Sequence, residues 1–169
     1  MTKLGPTGVK ILKIIHLFFA ILWIGGGLAL IALLFTTSPT SGGELLLRSR
    51  VLQIVDNYMI IPGAMMSLVT GLVYSIWTNW GFFKHNWITV KWVLTVVQVL
   101  FGALILGPWI DENVIIATQL GEATINNELF MHNVLMSQIW GTLQVILLLS
   151  FLFISVLKPW RKKRRKKSA

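Results

Sequence analysis

The stretch from Val9 to Phe35, VKILKIIHLFFAILWIGGGLALIALLF, decides the fold of this chain, because its only polar side chains are two lysines and one histidine. About 20 predominantly apolar residues suffice for a helix to cross a hydrocarbon core about 30 Å thick. Three further stretches have the same character, namely Met59–Trp77, Ile88–Trp109 and Val134–Leu157. In lipid, a segment must satisfy its own backbone hydrogen bonds, which a helix does. The sequence therefore predicts an all-α fold, an integral membrane bundle of four helices.

The composition supports one membrane domain without a separate soluble domain. The chain has 169 residues, of which 55% are hydrophobic and 12% are charged, and it contains no cysteine. Disulfides and thiolate metal sites are therefore excluded, and the absence of HExxH, Walker and GxSxG motifs argues against a hydrolase or an ATP-driven machine. We predict a single four-span domain over residues 1–160 and a polybasic cytoplasmic tail over residues 161–169. Such a tail is typical of attraction to anionic lipid, and nucleic acid is not an expected partner.

The distribution of charges predicts the orientation in the membrane. Basic residues lie before the first apolar stretch, around the second loop and after the fourth stretch. The third loop instead holds only acidic charges, which are Asp111, Glu112, Glu122 and Glu128. Cytoplasmic loops of membrane proteins are enriched in lysine and arginine. We therefore predict that both termini are cytoplasmic and that the protein resides in a bacterial cytoplasmic membrane.

The second helix is predicted to be longer than the bilayer and kinked. It should run from about Glu44 to Thr78, which corresponds to about 50 Å at 1.5 Å per residue. Pro62 lies inside it and should kink it, because proline removes one helical hydrogen bond and clashes with the preceding turn. Small residues recur every four positions along this helix, at Gly63, Ser67, Gly71 and Ser75. Such a stripe allows a neighbouring helix or a flat ligand to approach the backbone closely.

Two features are expected at the outer end of the bundle. The polar segment from Asp111 to Phe130 predicts a short separate helix, broken near Gly121, that caps the bundle. An ion pair between Asp56 and one of the nearby arginines, Arg48 or Arg50, is the simplest interpretation of those charges.

His16 and Lys91 are the residues within the spans that most strongly indicate a ligand site. His16 lies inside the first apolar stretch and Lys91 lies about one turn into the third, both toward the cytoplasmic side. Ionisable groups within spans are costly and usually face a partner, the bundle interior or water. A neutral imidazole is a good haem or metal ligand, and a lysine at the same level can pair with an acidic edge such as a propionate. A hydrogen-bonded histidine and a snorkelling lysine are the structural alternatives.

A second set of residues offers a copper site as an alternative. Met131, His132 and Met136 lie at the outer start of the fourth helix, and His132 and Met136 share a face because they are four residues apart. Methionine and histidine are copper ligands, and methionine particularly suits Cu(I). Packing is the other explanation for methionines on a membrane helix.

Several short motifs, in this order along the chain, resemble the HemJ type of protoporphyrinogen oxidase and the related small membrane families that include the copper-resistance D proteins and an uncharacterised group. The motifs are Ile15-His16-Leu17 with Trp23 in a glycine-rich helix, Arg48-x-Arg50, Ile61-Pro62-Gly63, Thr70-Gly71-Leu72, Trp87-Ile88-Thr89-Val90-Lys91, Asn127-Glu128 and Lys158-Pro159-Trp160. The glycine-rich part of the first helix is also similar to the copper-resistance D proteins.

The resemblance implies a membrane bundle that binds haem b, with His16 as an axial ligand and Lys91 as an essential partner. For the HemJ type it further implies oxidation of a porphyrin, with electrons passed to the respiratory chain. Three functions stay open at this point: a haem-b oxidoreductase, a copper-binding or copper-transport protein at Met131, His132 and Met136, and a non-catalytic membrane subunit. The last would use its glycine faces to bind a partner, and a homo-oligomer is equally open.

Overall fold

A computed structural model describes residues 3–78, 81 and 86–157, and these residues form helices and no strand. The helices are α1 (Pro6–Thr36), α2 (Gly42–Trp77), α3 (Asn86–Asn126) and α4 (Glu128–Leu157), and each is long and apolar enough to cross a membrane. The predicted all-α bundle with four candidate spans is therefore confirmed. The polybasic tail over residues 161–169 lies outside the described residues, so its attraction to anionic lipid stays a prediction.

The outward faces of the helices are apolar, as contact with lipid requires. Large hydrophobic side chains such as Phe18, Ile21, Leu104 and Phe153 are exposed along the helix surfaces. In water such surfaces would drive association, because exposed apolar patches of this size are rare on soluble monomers. In hydrocarbon they are solvated, and the protein is an integral membrane protein.

Contacts at both ends of the bundle show that successive helices run in opposite directions. At one end the Leu4 N–H donates a hydrogen bond to the Trp77 carbonyl at 2.9 Å, which joins the start of α1 to the end of α2. At the other end the Gly42 N–H donates to Oε2 of Glu122 at 2.9 Å, which joins the start of α2 to the end of α3. We name the first the inner end and the second the outer end, following the charge-based prediction of orientation.

Each of the two longest helices contains one π-turn, and a proline follows each π-turn at the same spacing. In α2 the π-turn spans Asp56–Ile60 and precedes Pro62, and in α3 it spans Gly102–Leu106 and precedes Pro108. Proline has no N–H and its ring clashes with the turn before it. A wider turn at that point accommodates the ring while the helix continues. The predicted disturbance at Pro62 therefore takes the form of a π-turn within a continuous helix.

The short outer helix predicted within Asp111–Phe130 is the continuation of α3 beyond the apolar stretch. The α-helical part of α3 continues to Leu120 and is followed by a 3₁₀ turn over Gly121–Asn126. Pro108 does not stop the helix because it occupies the first turn after the π-turn, where a missing N–H is tolerated. The predicted break near Gly121 is confirmed, and its φ of 52° lies in a region that favours glycine.

Glycines allow α1 to pack closely against α2 and α4. A Cβ atom added to Gly63 would lie 2.6 Å from the backbone nitrogen of Trp23, and one added to Gly27 would lie 2.8 Å from Cγ2 of Val145. Trp23 is only 4% exposed and packs in a cluster with Ala64, Leu148 and Phe151. This cluster lies at the middle of the bundle and separates two cavities.

Candidate functional site

Two cavities lie between the described parts of the helices, one toward each end. The inner cavity has a volume of about 470 Å³ and the outer cavity about 300 Å³. Trp23 and Leu148 line both cavities, so the buried cluster around Trp23 forms the partition between them. Both volumes are near or within the usual range for ligand pockets, about 300–1,000 Å³.

His16 and Lys91 line the same inner cavity. α1 supplies His16 and α3 supplies Lys91, and both side chains are half-buried. The structure therefore brings to one cavity the two residues that the sequence analysis singled out. Their roles toward a ligand remain a prediction.

The hydrogen bonds around His16 determine which ring nitrogen is free. Nδ1 of His16 lies 2.7 Å from Oγ1 of Thr70 on α2, and that hydroxyl donates its own proton to the Met66 carbonyl at 2.6 Å. Donation of the Thr70 proton to the Met66 carbonyl favours the tautomer in which Nδ1 of His16 donates to Thr70. In that tautomer the lone pair of the neutral imidazole resides on Nε2. Metal-ligating histidines usually show this arrangement, in which the second ring nitrogen donates to a fixed partner.

Lys91 is held by α4 and not by a carboxylate. Its Nζ donates a hydrogen bond to Oγ of Ser155 at 2.5 Å, and Ser155 in turn donates to the Phe151 carbonyl at 2.6 Å. A hydroxyl fixes the position of the ammonium group but leaves its charge uncompensated.

The inner cavity has basic residues and no acidic residue. Lys13 and Lys91 both line it, whereas none of the six carboxylates in the whole chain does. A further polar group, the buried Oγ of Ser67, also lines the cavity and has no partner among the described residues. A charge inside a membrane protein requires a partner or water. This cavity is therefore suited to a ligand that brings its own negative charge.

The remaining walls of the inner cavity are aromatic and apolar. Tyr74 stands edge-on to the His16 ring with 6.1 Å between ring centroids, and its hydroxyl donates to the Val9 carbonyl at 3.2 Å. The indole N–H of Trp92 donates to Oγ of Ser75 at 2.9 Å. Ligand pockets commonly combine apolar walls with a few fixed polar groups, and a flat apolar ligand with one acidic edge matches this lining.

Sequence reasoning did not identify Thr70, Ser155 and Tyr74 as neighbours of the two site residues. The stripe of small residues on α2 was the available signal, because Ser67, Gly71 and Ser75 all line the inner cavity. The stripe therefore has two roles. Gly63 allows the α1 backbone to approach α2 closely, and the other three residues border the cavity.

The outer cavity contains charged residues of both signs. Asp56, Asp111 and Arg48 line it. Asp111 accepts a hydrogen bond from Nε2 of Gln53 at 2.7 Å, while the buried Nε of Arg48 has no partner among the described residues. The expected ion pair between Asp56 and Arg48 or Arg50 is absent from the described part of the chain. On one helix the two arginines precede Asp56 by eight and six residues, or about 12 and 9 Å.

The alternative copper residues lie outside both cavities. Met131 and His132 are exposed at the outer start of α4, and Met136 is half-buried one turn further along. Within residues 3–78 and 86–157, no group of three or more His, Asp or Glu side chains could hold a metal ion. The copper site at these residues stays a prediction for which the described structure supplies no enclosing pocket.

This arrangement, a bundle of four candidate spans with a basic inner cavity, defines a small helical integral membrane protein. The chain belongs to the DUF2269 family, described as a predicted integral membrane protein, whose family model matches residues 10–162. The match covers all four helices and confirms the predicted membrane class.

One curated relative is the "Inner membrane-spanning protein YciB" of Cronobacter sakazakii. It is 28% identical over 93 residues, which is 54% of this chain and 47% of that protein, so the match spans about half of each. No solved structure matches the chain. The resemblance to HemJ-type oxidases and copper-resistance D proteins is carried by the motifs alone and stays a hypothesis.

Proposed function

We propose that the inner cavity binds haem b, with Nε2 of His16 as an axial ligand to the iron and the Lys91 ammonium paired with a propionate. The observation that carries the proposal is the convergence of these two residues on one cavity that no carboxylate lines. The family and the relative support only the membrane class, so the ligand is argued from the cavity itself.

The residues of the cavity fit this group in three respects. His16 contacts Thr70 through Nδ1, which leaves Nε2 as the nitrogen for the iron. Lys91 has a charge that nothing else in the cavity balances. The aromatic and apolar walls suit the porphyrin faces. When bound, haem supplies one-electron redox chemistry, and an oxidoreductase acting on a porphyrin or passing electrons to the respiratory chain is the role that we propose for the holoprotein.

Each of the named side chains has a defined task in this proposal. Thr70 orients the imidazole and fixes its tautomer, and Ser155 directs the Lys91 ammonium. The cluster around Trp23 lies between the two cavities and contributes apolar walls to the inner one. A low local dielectric strengthens the electrostatic attraction between ammonium and propionate.

The proposal is tested by titrating haemin into the purified protein in detergent and following the Soret band. We expect saturable binding with a shifted band in the native chain and in the control Lys10→Met, whose side chain is exposed on the same helix and lies outside the cavity. His16→Ala should lose the shifted band. Circular dichroism verifies that the variant retains its helices. Equal spectra for the native chain and His16→Ala would refute the proposal.

A further inference from the structure

The outer cavity is a second space between the helices that the proposed haem site does not use, and its mostly apolar lining includes several polar side chains. Both π-turns border it, since residues of Asp56–Ile60 from α2 and of Gly102–Leu106 from α3 line its walls. π-turns inside α-helices occur frequently at functional sites. The carboxylates of Asp56 and Asp111 line the same space.

Three buried amide side chains also line this cavity, and each has an oxygen without a partner. Gln98 is 4% exposed, Asn113 is 7% exposed and Gln144 is 9% exposed. Oε1 of each glutamine and Oδ1 of Asn113 accept no hydrogen bond among the described residues. Buried polar groups are nearly always satisfied, so an orphaned group indicates a water, an ion or a ligand that completes it.

The orientation of the two glutamines follows from their partners. Nε2 of Gln144 donates to the Gln98 carbonyl at 3.2 Å, and Nε2 of Gln98 donates to the Gln144 carbonyl at 3.5 Å. Backbone carbonyls can only accept, so the amide nitrogens must face them. Both Oε1 atoms are buried and unpaired among the described residues, and both glutamines border the cavity.

The balance of charge in the cavity is negative. Two carboxylates, Asp56 and Asp111, line it together with one guanidinium, that of Arg48. Arg48 precedes Asp56 by eight residues on α2, or about 12 Å along the helix, and so lies nearer the outer mouth. Asp56 receives no hydrogen bond from a described side chain, in contrast to Asp111, which accepts one from Gln53. The walls of the cavity are mostly apolar, and its deeper part holds one carboxylate, that of Asp56, without a side-chain partner.

We propose that the outer cavity binds a small hard cation, with the Asp56 carboxylate and the amide oxygens of Gln98 and Gln144 as the groups that face it. Carboxylate and carbonyl oxygens suit alkali and alkaline-earth ions. Asp111 and Asn113, which lie toward the outer end, attract the ion to the mouth. This site lies on the opposite side of the Trp23 partition from His16 and Lys91. The proposal of a cation site is therefore independent of the proposal of haem binding.

The test is thermal unfolding of the purified protein in detergent, after exchange into a buffer whose only cation is N-methylglucamine. NaCl, KCl, MgCl₂ and CaCl₂ are then titrated separately, each against N-methylglucamine chloride at equal ionic strength. We expect one of the four salts to raise the melting temperature of the native chain saturably. Isothermal titration calorimetry with the same salt gives its affinity.

Asp56→Asn is the decisive variant because it preserves the shape of the side chain and removes its charge. We expect its affinity for the stabilising cation to fall at least about tenfold, since even groups that only orient metal ligands contribute 10–100-fold. Glu112→Gln is the matched control, because Glu112 lies at the same end of α3, does not line the cavity and accepts a hydrogen bond from Asn133 at 2.8 Å.

The outcomes separate a cation site from a cavity that holds water only. Retention of the saturable effect in Glu112→Gln together with its loss in Asp56→Asn supports the proposal. If Asp56→Asn does not fold, Asp111→Asn is measured, and weaker binding in that variant supports it likewise. No saturable response of the native chain to any of the four salts, or an equal response in the native chain and both Asp variants, overturns it.

Discussion

Nδ1 of His16 lies 2.7 Å from Oγ1 of Thr70, and this contact joins α1 to α2 across the wall of the inner cavity. Donation of the threonine hydroxyl to the Met66 carbonyl favours the histidine as the donor in the contact. In that tautomer the lone pair of His16 resides on Nε2.

Replacement of Thr70 by valine removes the acceptor that orients His16. A buried donor left unpaired costs about 1–3 kcal/mol, and we expect both a lower melting temperature and weaker haemin binding. Thr118→Val is the control, since the exposed Thr118 hydroxyl only donates to the Val114 carbonyl in its own helix. Unchanged haemin affinity in Thr70→Val would show that the contact does not position His16.

The role of Lys91 is tested with a ligand that lacks the charged edge. The native protein should prefer haemin over haemin dimethyl ester, and Lys91→Met should abolish that preference by lowering haemin affinity about tenfold or more. A hydrogen bond to a charged group contributes about 1.5–3 kcal/mol, and 1.4 kcal/mol corresponds to a factor of ten. Lys91→Arg should restore part of the preference. Equal affinities for haemin and its ester in the native protein would contradict the pairing of Lys91 with a propionate.

Gly63 is a test of the packing between α1 and α2. Gly63→Ala should lower the free energy of unfolding by about 1–3 kcal/mol, because the added Cβ would lie 2.6 Å from the Trp23 backbone nitrogen. Gly25→Ala provides the comparison, since a Cβ at Gly25 has no atom within 4 Å and helical alanine is favoured over glycine. Denaturant unfolding in detergent measures both. A destabilisation of Gly25→Ala equal to that of Gly63→Ala would argue against the close approach.

The orientation in the membrane is measured by cysteine labelling, for which the cysteine-free chain is well suited. Gly5→Cys lies at the exposed start of α1 and Ala123→Cys lies at the exposed end of α3. In intact cells an impermeant maleimide should label Ala123→Cys only, and Gly5→Cys should react after the membrane is opened. The reverse pattern would invert the orientation predicted from the basic and acidic loops.

The membrane spans could be predicted from the sequence because an apolar stretch of sufficient length has few alternatives in lipid. The disturbance at Pro62 was also foreseeable from the chemistry of proline. The continuity of the predicted outer helix with α3 was not, because the apolar stretch ends at Trp109 while the helix extends past it. No glycine or proline occurs between Asp111 and Leu120, so the helix continues until Gly121.

His16 and Lys91 could be predicted as site residues because ionisable side chains are energetically costly inside a membrane and both lie toward the inner ends of their helices. The side chains that contact them could not be predicted. Which hydroxyl faces His16 or Lys91 depends on the rotation and offset of one helix against another, and Thr70 and Ser155 are 54 and 64 residues away from them in the chain. The outer cavity depends likewise on how α2 meets α3 and α4.

The absorbance spectrum of the protein purified from haem-supplied cells tests the central claim most directly. The native chain and His132→Ala should show the same Soret band, since His132 is exposed at the outer end and outside both cavities. His16→Ala should lack that band because the axial nitrogen is missing. A native chain without a Soret band, or a band lost in His132→Ala and retained in His16→Ala, would contradict haem binding by the inner cavity.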